Sequence, residues 1–305
     1  MDVFLNLLTL NLKQGLLYGV LALGVYITYS ILDFPDLSVD GTVPLGGCIT
    51  VLLLFNGVNP WLALAASFAV GAAAGCVTGQ LHVKLKIRPL LCGILVMTAL
   101  LSVNLMLMKA GTNGMSVATF FRTDTVLSTA PVSWVPQSVG GVGLRPLVLA
   151  LVMALVGKVF LDWYFSTKSG MLLRATGNNP QYVTMLARDP GRMKILGLAF
   201  GNGFAALAGS LIAQDKGSAD LQYGTGMVVI GLASVIVGLS LLRRIRRMKD
   251  TTKVLIGSIL YMACLSVADY IGLSDQLKLI MAALFVVVLV ISDKLDRKGK
   301  GHARA

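Results

Sequence analysis

Three aspartates, Asp33, Asp36 and Asp40, fall between two apolar runs, in the company of Pro35, Ser38 and Gly41. A carboxylate at membrane depth is costly unless it meets water or a partner, so such a cluster is a candidate functional element. Read functionally, it is an interrupted helix whose free backbone groups and carboxylates line a cavity. Read structurally, it is an ordinary loop at the membrane surface. A similar polar break recurs later in the chain. The first reads Asp36-Leu37-Ser38-Val39-Asp40-Gly41-Thr42 and the second Asp220-Leu221-Gln222-Tyr223-Gly224-Thr225. With five spans between them, the two units run in opposite directions across a membrane, the pattern of an inverted repeat with unwound helix ends along a pathway. Asp36, Leu37, Ser38 and Asp40, with Asp220, Tyr223 and Gly224, are therefore the candidate pathway residues.

Other chemistry is excluded by residue type. All 14 acidic residues are aspartates. Without glutamate there is no HExxH zinc site, no glutamate general base and no EF-hand closing ligand. The histidines are His82 and His302, the second in a basic tail. Cys48, Cys76, Cys92 and Cys264 each lie in an apolar segment and form no CxxC pair, so they read as small buried hydrophobes. No catalytic set, metal site or cofactor is expected.

The elements that must position these breaks are membrane helices. The 305 residues are 56% hydrophobic and 13% charged, with mean hydropathy +0.79; a soluble domain carries roughly 25% charged residues. Apolar runs of spanning length predict an all-α, polytopic helical bundle of about nine spans: 14–32, 42–57, 60–82, 89–109, 145–166, 193–214, 226–242, 254–272 and 277–292. The second is short and could be re-entrant. The first 13 residues read as a short interfacial helix. No hydrophilic stretch is long enough for a soluble domain, so residues 1–305 form one membrane domain.

The net charge of +12 is gathered into short clusters between spans, which speaks for membrane topology and against nucleic acid. The clusters are Lys84, Lys86 and Arg88; Lys168 to Lys194; Arg243 to Lys253; and the tail. The positive-inside rule puts all four in the cytoplasm. The loops near 111–144, 215–225 and 273–276 then lie outside, as does the N-terminus, while the C-terminus is cytoplasmic.

Gly71, Gly75 and Gly79 mark one face of the third span, suited to close helix packing within the subunit, with dimerisation as the lesser reading. Lys158 and Asp162 are placed for an intrahelical pair. The loop 166–193 holds Arg174 and Thr176, then Asn178, Asn179 and Pro180, then Tyr182, Met185 and Leu186. Asn179 is a plausible N-cap with proline at the first helical position. Tyr182, Met185 and Leu186 give the short helix an apolar side, and Gly191 is expected to end it. Such a helix suits a groove on a cytoplasmic partner; resting at the lipid interface is the alternative.

The run Leu172 to Gly209, LLRATGNNPQYVTMLARDPGRMKILGLAFGNGFAALAG, resembles the permeases of branched-chain amino acid, ribose and nucleoside ABC importers. The segments GVLALGVYITYSILDFPDLSVDGTVPLGG and GMVVIGLASVIVG are similar to that family's first membrane pair and a late membrane segment. The resemblance implies a fold related to the vitamin B12-type importer and two permease subunits side by side, read here as a homodimer. It also implies two cytoplasmic ATP-binding subunits, an external substrate-binding protein and a bacterial inner-membrane location. The helix at Asn178 to Ala187 becomes the ATPase-coupling helix. The wording PDLSVDGT is most similar to an amino-acid branch, including aromatic amino acids. Lack of glutamate departs from the EAA loop of maltose-type importers. An ion-coupled secondary transporter remains the rival class, since broken helices suit it equally.

Overall fold

The computed structural model describes residues 2–112, 117–119, 124–130, 132–134, 136, 138–139, 142–185, 187–245, 247–270 and the single positions 283, 286, 287 and 290. Helix α1 (Asp2–Val25) runs on through a π-helical stretch, Tyr26–Ile31. The helices α2 (Val39–Phe55), α3 (Pro60–Leu85), α4 (Pro89–Thr112) and α5 (Leu144–Ser166) follow. Two short helices, α6 (Lys168–Asn178) and α7 (Pro180–Met185), lead to α8 (Pro190–Lys216), α9 (Met227–Leu241) and α10 (Asp250–Tyr270).

Seven described helical segments are long and apolar enough to cross a bilayer: Leu8–Ile31, Pro60–Leu85, Pro89–Ala110, Leu144–Ser166, Pro190–Lys216, Leu221–Leu241 and Asp250–Ala268. The second expected span is the shorter α2, of 17 residues. The ninth, 277–292, lies outside the described residues apart from four positions, so seven long spans and one short apolar helix stand where nine spans were expected.

The expectation of a separate interfacial helix over the first 13 residues is corrected. Nothing in that sequence breaks a helix, and α1 is continuous from Asp2. Lys13, within this helix, pairs with Asp215 near the end of α8, with Nζ 2.8 Å from Oδ2.

The centre of the bundle is α1 beside α8. Helix α8 packs against α2 and α3, and α1 against α9, α10 and α5. Glycine makes the closest of these contacts. A Cβ on Gly71 would lie 2.6 Å from the Asn202 carbonyl oxygen, and one on Gly79 2.8 Å from Ile195 Cα; Gly75 likewise abuts Leu198. The glycine face of α3 thus lies against α8 within the subunit, as expected. By contrast the outward face of α5 exposes Leu155, Val156, Val159 and Trp163, a surface for lipid.

Two small antiparallel ladders decorate the loops. Strand β1 (Val117–Thr119) pairs with β4 (Ser218–Asp220), Ala118 opposite Ala219; β2 (Ser138–Val139) pairs with β3 (Val142–Gly143). Between α5 and α10, Asp162 gathers Lys158 (3.1 Å), Lys249 (3.3 Å) and the Thr251 hydroxyl (2.6 Å). The intrahelical pair is therefore one arm of an interhelical knot.

Candidate translocation and coupling sites

The first break begins where the π-helical stretch ends. Asp33 adopts a left-handed backbone (φ 52°), and the chain turns inward through Phe34 and Pro35 to Asp36. Asp36 Oδ1 accepts from the Ser38 N–H (2.9 Å) and lies 2.6 Å from Ser38 Oγ. Its Oδ2 accepts from Asn202 Nδ2 at 2.7 Å, and Asn202 Oδ1 accepts from the Thr42 hydroxyl, also at 2.7 Å. Thr78 Oγ1 on α3 reaches Ser38 Oγ at 3.4 Å. Asp36, Ser38, Thr42, Thr78 and Asn202 are all buried. The network thereby ties the break to α2, α3 and the middle of α8. Buried polar groups of this kind are tolerated because every member finds a partner.

The sequence reading missed Asn202, Thr42 and Thr78. An asparagine in the middle of an apolar span was the available signal for Asn202. It is the same type of signal that singled out the aspartates.

The second break joins the first. Asp40, in the opening turn of α2, accepts from the Val228 N–H through Oδ1 (2.8 Å) and from the Gly226 N–H through Oδ2 (3.3 Å). It supplies the cap that α9 lacks locally, because Gly226 at its N-terminus has no side chain to give one. Gly224 is buried against the same turn: a Cβ there would sit 2.5 Å from Pro44 Cγ and closer still to the Asp40 carbonyl oxygen. Asp220 caps its own 3-10 turn through the Gln222 N–H at 2.9 Å. Tyr223 is half-buried beneath Lys216, whose Nζ is 4.0 Å from the ring centroid. Leu37 packs against the core and against Gly93 of α4. The candidate pathway residues of the two breaks thus form one junction around Asp40, Pro44 and Gly224. Asp36 and Ser38 are enclosed behind it, and Asp220 and Tyr223 lie toward the β1–β4 ladder.

In the loop 166–193, Thr167 caps α6 and Asn179 caps α7, its Oδ1 accepting from the Gln181 N–H at 3.1 Å. Pro180 opens α7, as expected. Two expectations change. Asn178 closes α6, so the short helix is Pro180–Met185 alone. It ends at Met185, and Ala187 beyond it has a left-handed backbone (φ 54°), while Gly191 sits in the first turn of α8, its N–H held by Asp189 Oδ1 at 2.8 Å. Val183 is buried and anchors α7, whereas Tyr182 and Met185 are 55% and 84% exposed on its outer side. Leu186 lies outside the described residues. Thr176 is buried, its hydroxyl donating to the Leu172 carbonyl, and presents no surface. Arg174 stacks over the Phe165 ring at 4.6 Å. Together with Asn178, Asp33 and Asp250 it lines an open cavity of about 570 Å³ beside the π-helical stretch.

Comparison with known proteins fits this architecture. The family model described as "Branched-chain amino acid transport system / permease component" matches residues 7–290. The chain is 40% identical to the tyrosine transport system permease protein of Clostridioides difficile over 91% of this chain and 88% of that one. It is 28% identical to the ribose import permease protein RbsC of Escherichia coli, over 94% of this chain and 87% of that one. The solved structure of PsaBC from Streptococcus pneumoniae in complex with Fab shares the fold, with a TM-score of 0.51 at 12% identity over 91% of this chain and 89% of that one. The homologues are transport subunits that work with a separate ATPase, not enzymes. A match over nearly the whole length, onto a helical bundle with two interlocked breaks, leaves one conclusion: the chain belongs to the family of branched-chain amino acid transport system permease components, the membrane-spanning subunits of ABC importers.

Proposed function

We propose that the chain carries an amino acid, with an aromatic one first among candidates, through a pathway controlled by the junction of its two helix breaks. Two permease copies flank that pathway, and alternating access is driven by two ATP-binding subunits docked on α7. The observation that carries this reading is the Asp40 carboxylate holding the N-terminus of α9. Two interrupted helices that meet head to head, one supplying the cap of the other, form an element able to move as a unit. The exchanged packing of α8 on α2 and α3, and of α1 on α9 and α10, supports an inverted repeat and a fold related to the vitamin B12-type importer.

Outward exposure of Tyr182 and Met185, over a buried Val183, supports α7 as the coupling helix. Basic clusters near α3, α6 and α10 support a cytoplasmic location for that end of the bundle, an external N-terminus, and delivery of solute by an external binding protein on the opposite face. The relative named for tyrosine transport supports the amino-acid assignment.

The test is purification in mild detergent with identification of co-purifying subunits, followed by ATP-dependent uptake of labelled tyrosine, leucine and ribose into proteoliposomes. Recovery of an ATPase with tyrosine uptake supports the reading. Recovery of the ATPase with ribose uptake alone overturns the substrate. A chain that purifies alone and transports under an ion gradient overturns the mechanism.

A further inference from the structure

A cleft of about 370 Å³ opens between the C-terminal end of α3, the start of α7 and the first turn of α8. Its walls include His82, Lys86, Pro180, Asp189, Gly191 and Lys194. His82 Nδ1 is 2.8 Å from the Ile87 carbonyl oxygen, which can only accept, so Nδ1 carries the ring proton and Nε2 is left as an acceptor. That acceptor faces Lys194 Nζ at 3.3 Å. A partly buried ammonium is thus held by a neutral imidazole, and two of its protons remain for an anion. Lys86, left-handed (φ 55°) at the close of α3, adds an exposed second ammonium at the rim. The one carboxylate among these six residues, Asp189, is already engaged: Oδ1 caps Gly191 and Oδ2 is 3.7 Å from Arg192 Nε. The start of α8, a helix of 27 residues, contributes the positive end of its dipole.

The geometry points to a binding site for the phosphate headgroup of an anionic phospholipid. The cleft lies at the end of a membrane-spanning helix, where a lipid phosphate stands. Beside it on α3, Leu85 is 64% exposed, an apolar side chain at the edge of the cleft for the start of the acyl chains. A zwitterionic lipid would bring its own cation against the two lysines, so the site selects a net negative headgroup. Because Pro180 of α7 lines the same cleft, the bound headgroup would brace α7 against α3 and α8.

The experiment is native mass spectrometry of the full-length chain after exchange through bicelles of equimolar phosphatidylcholine and phosphatidylglycerol. Retention of phosphatidylglycerol well above phosphatidylcholine is expected. Lys86→Ala with Lys194→Ala should reduce that preference by roughly five-fold per lysine. Lys168→Ala, outside the cleft, should keep it. Equal retention of the two lipids by the wild type, or an unchanged preference in the double variant, overturns the site. If inorganic phosphate protects the cleft lysines from acylation while phosphatidylglycerol does not, the ligand is a soluble anion and the lipid assignment falls. If preference disappears once a co-purified ATPase is bound, the cleft belongs to a protein interface and the assignment equally falls.

Discussion

The carboxylate of Asp40 on α2 caps α9 across 188 residues of sequence, its Oδ1 2.8 Å from the Val228 N–H. Charge-assisted bonds to a helix N-terminus are among the stronger polar contacts a protein makes. Asp40→Ala should lower stability by about 1–3 kcal/mol, since it leaves two N–H groups without their partner. Asp40→Asn should recover part of the loss. Thermal unfolding of the three proteins in detergent checks the order, and equal midpoints would remove the cap from the account.

Gly224 and Gly57 give opposite expectations for the same substitution. At Gly224 a methyl group meets the Asp40 backbone and Pro44, neither of which can yield. Gly224→Ala should therefore abolish folding or transport. Gly57 has positive φ (72°) but nothing within 4 Å of a built Cβ, so Gly57→Ala should cost only about 1 kcal/mol of backbone strain. Expression yield and monodispersity in detergent separate the two.

Asn202 donates to Asp36 and accepts from Thr42 inside the bundle. Asn202→Leu removes a donor from a buried carboxylate and should destabilise by roughly 1–3 kcal/mol, the cost of leaving a buried acceptor without its partner. Asn202→Asp sets a second carboxylate against Asp36 and should be rescued in part by Asp36→Asn. A double-mutant cycle on unfolding midpoints measures the coupling; additive effects would show that the two residues act separately.

On α7 the exposed and buried positions should part company. Met185→Asp, on the outer side, should leave the bundle folded while weakening ATPase association and uptake together. Val183→Asp buries a charge and should lower the yield of folded protein. Co-purification read beside size-exclusion behaviour distinguishes them, and an intact ATPase complex with Met185→Asp would take α7 out of the coupling role.

Gly75 lies so close to Leu198 that α3 and α8 touch through backbone. Gly75→Val should separate the helices and reduce thermal stability, whereas Ala73→Val on the exposed side of α3 should change little. Equal effects in a detergent melting series would contradict a backbone contact between α3 and α8 at Gly75.

Much of the architecture was legible because membrane helices announce themselves locally. Apolar runs located seven described helices to within a few residues, and the end but not the start of the first, since in lipid a segment must satisfy its own backbone groups and must match the bilayer in length. Asn179 and Pro180 fixed the start of α7 because capping involves only neighbouring residues. The two polar breaks were visible as aspartates where apolar residues should stand. Other features were not legible, because they depend on which helices meet. The destination of Asp40 is a helix 188 residues away. Asn202 became part of the site only when α8 was laid against the first break, and Lys13 found Asp215 only because α1 lies beside α8. Composition and periodicity determined that this is a bundle of membrane helices with two interruptions. Packing alone decided that the interruptions meet, because a hydrogen bond between distant segments leaves no periodic trace in either one.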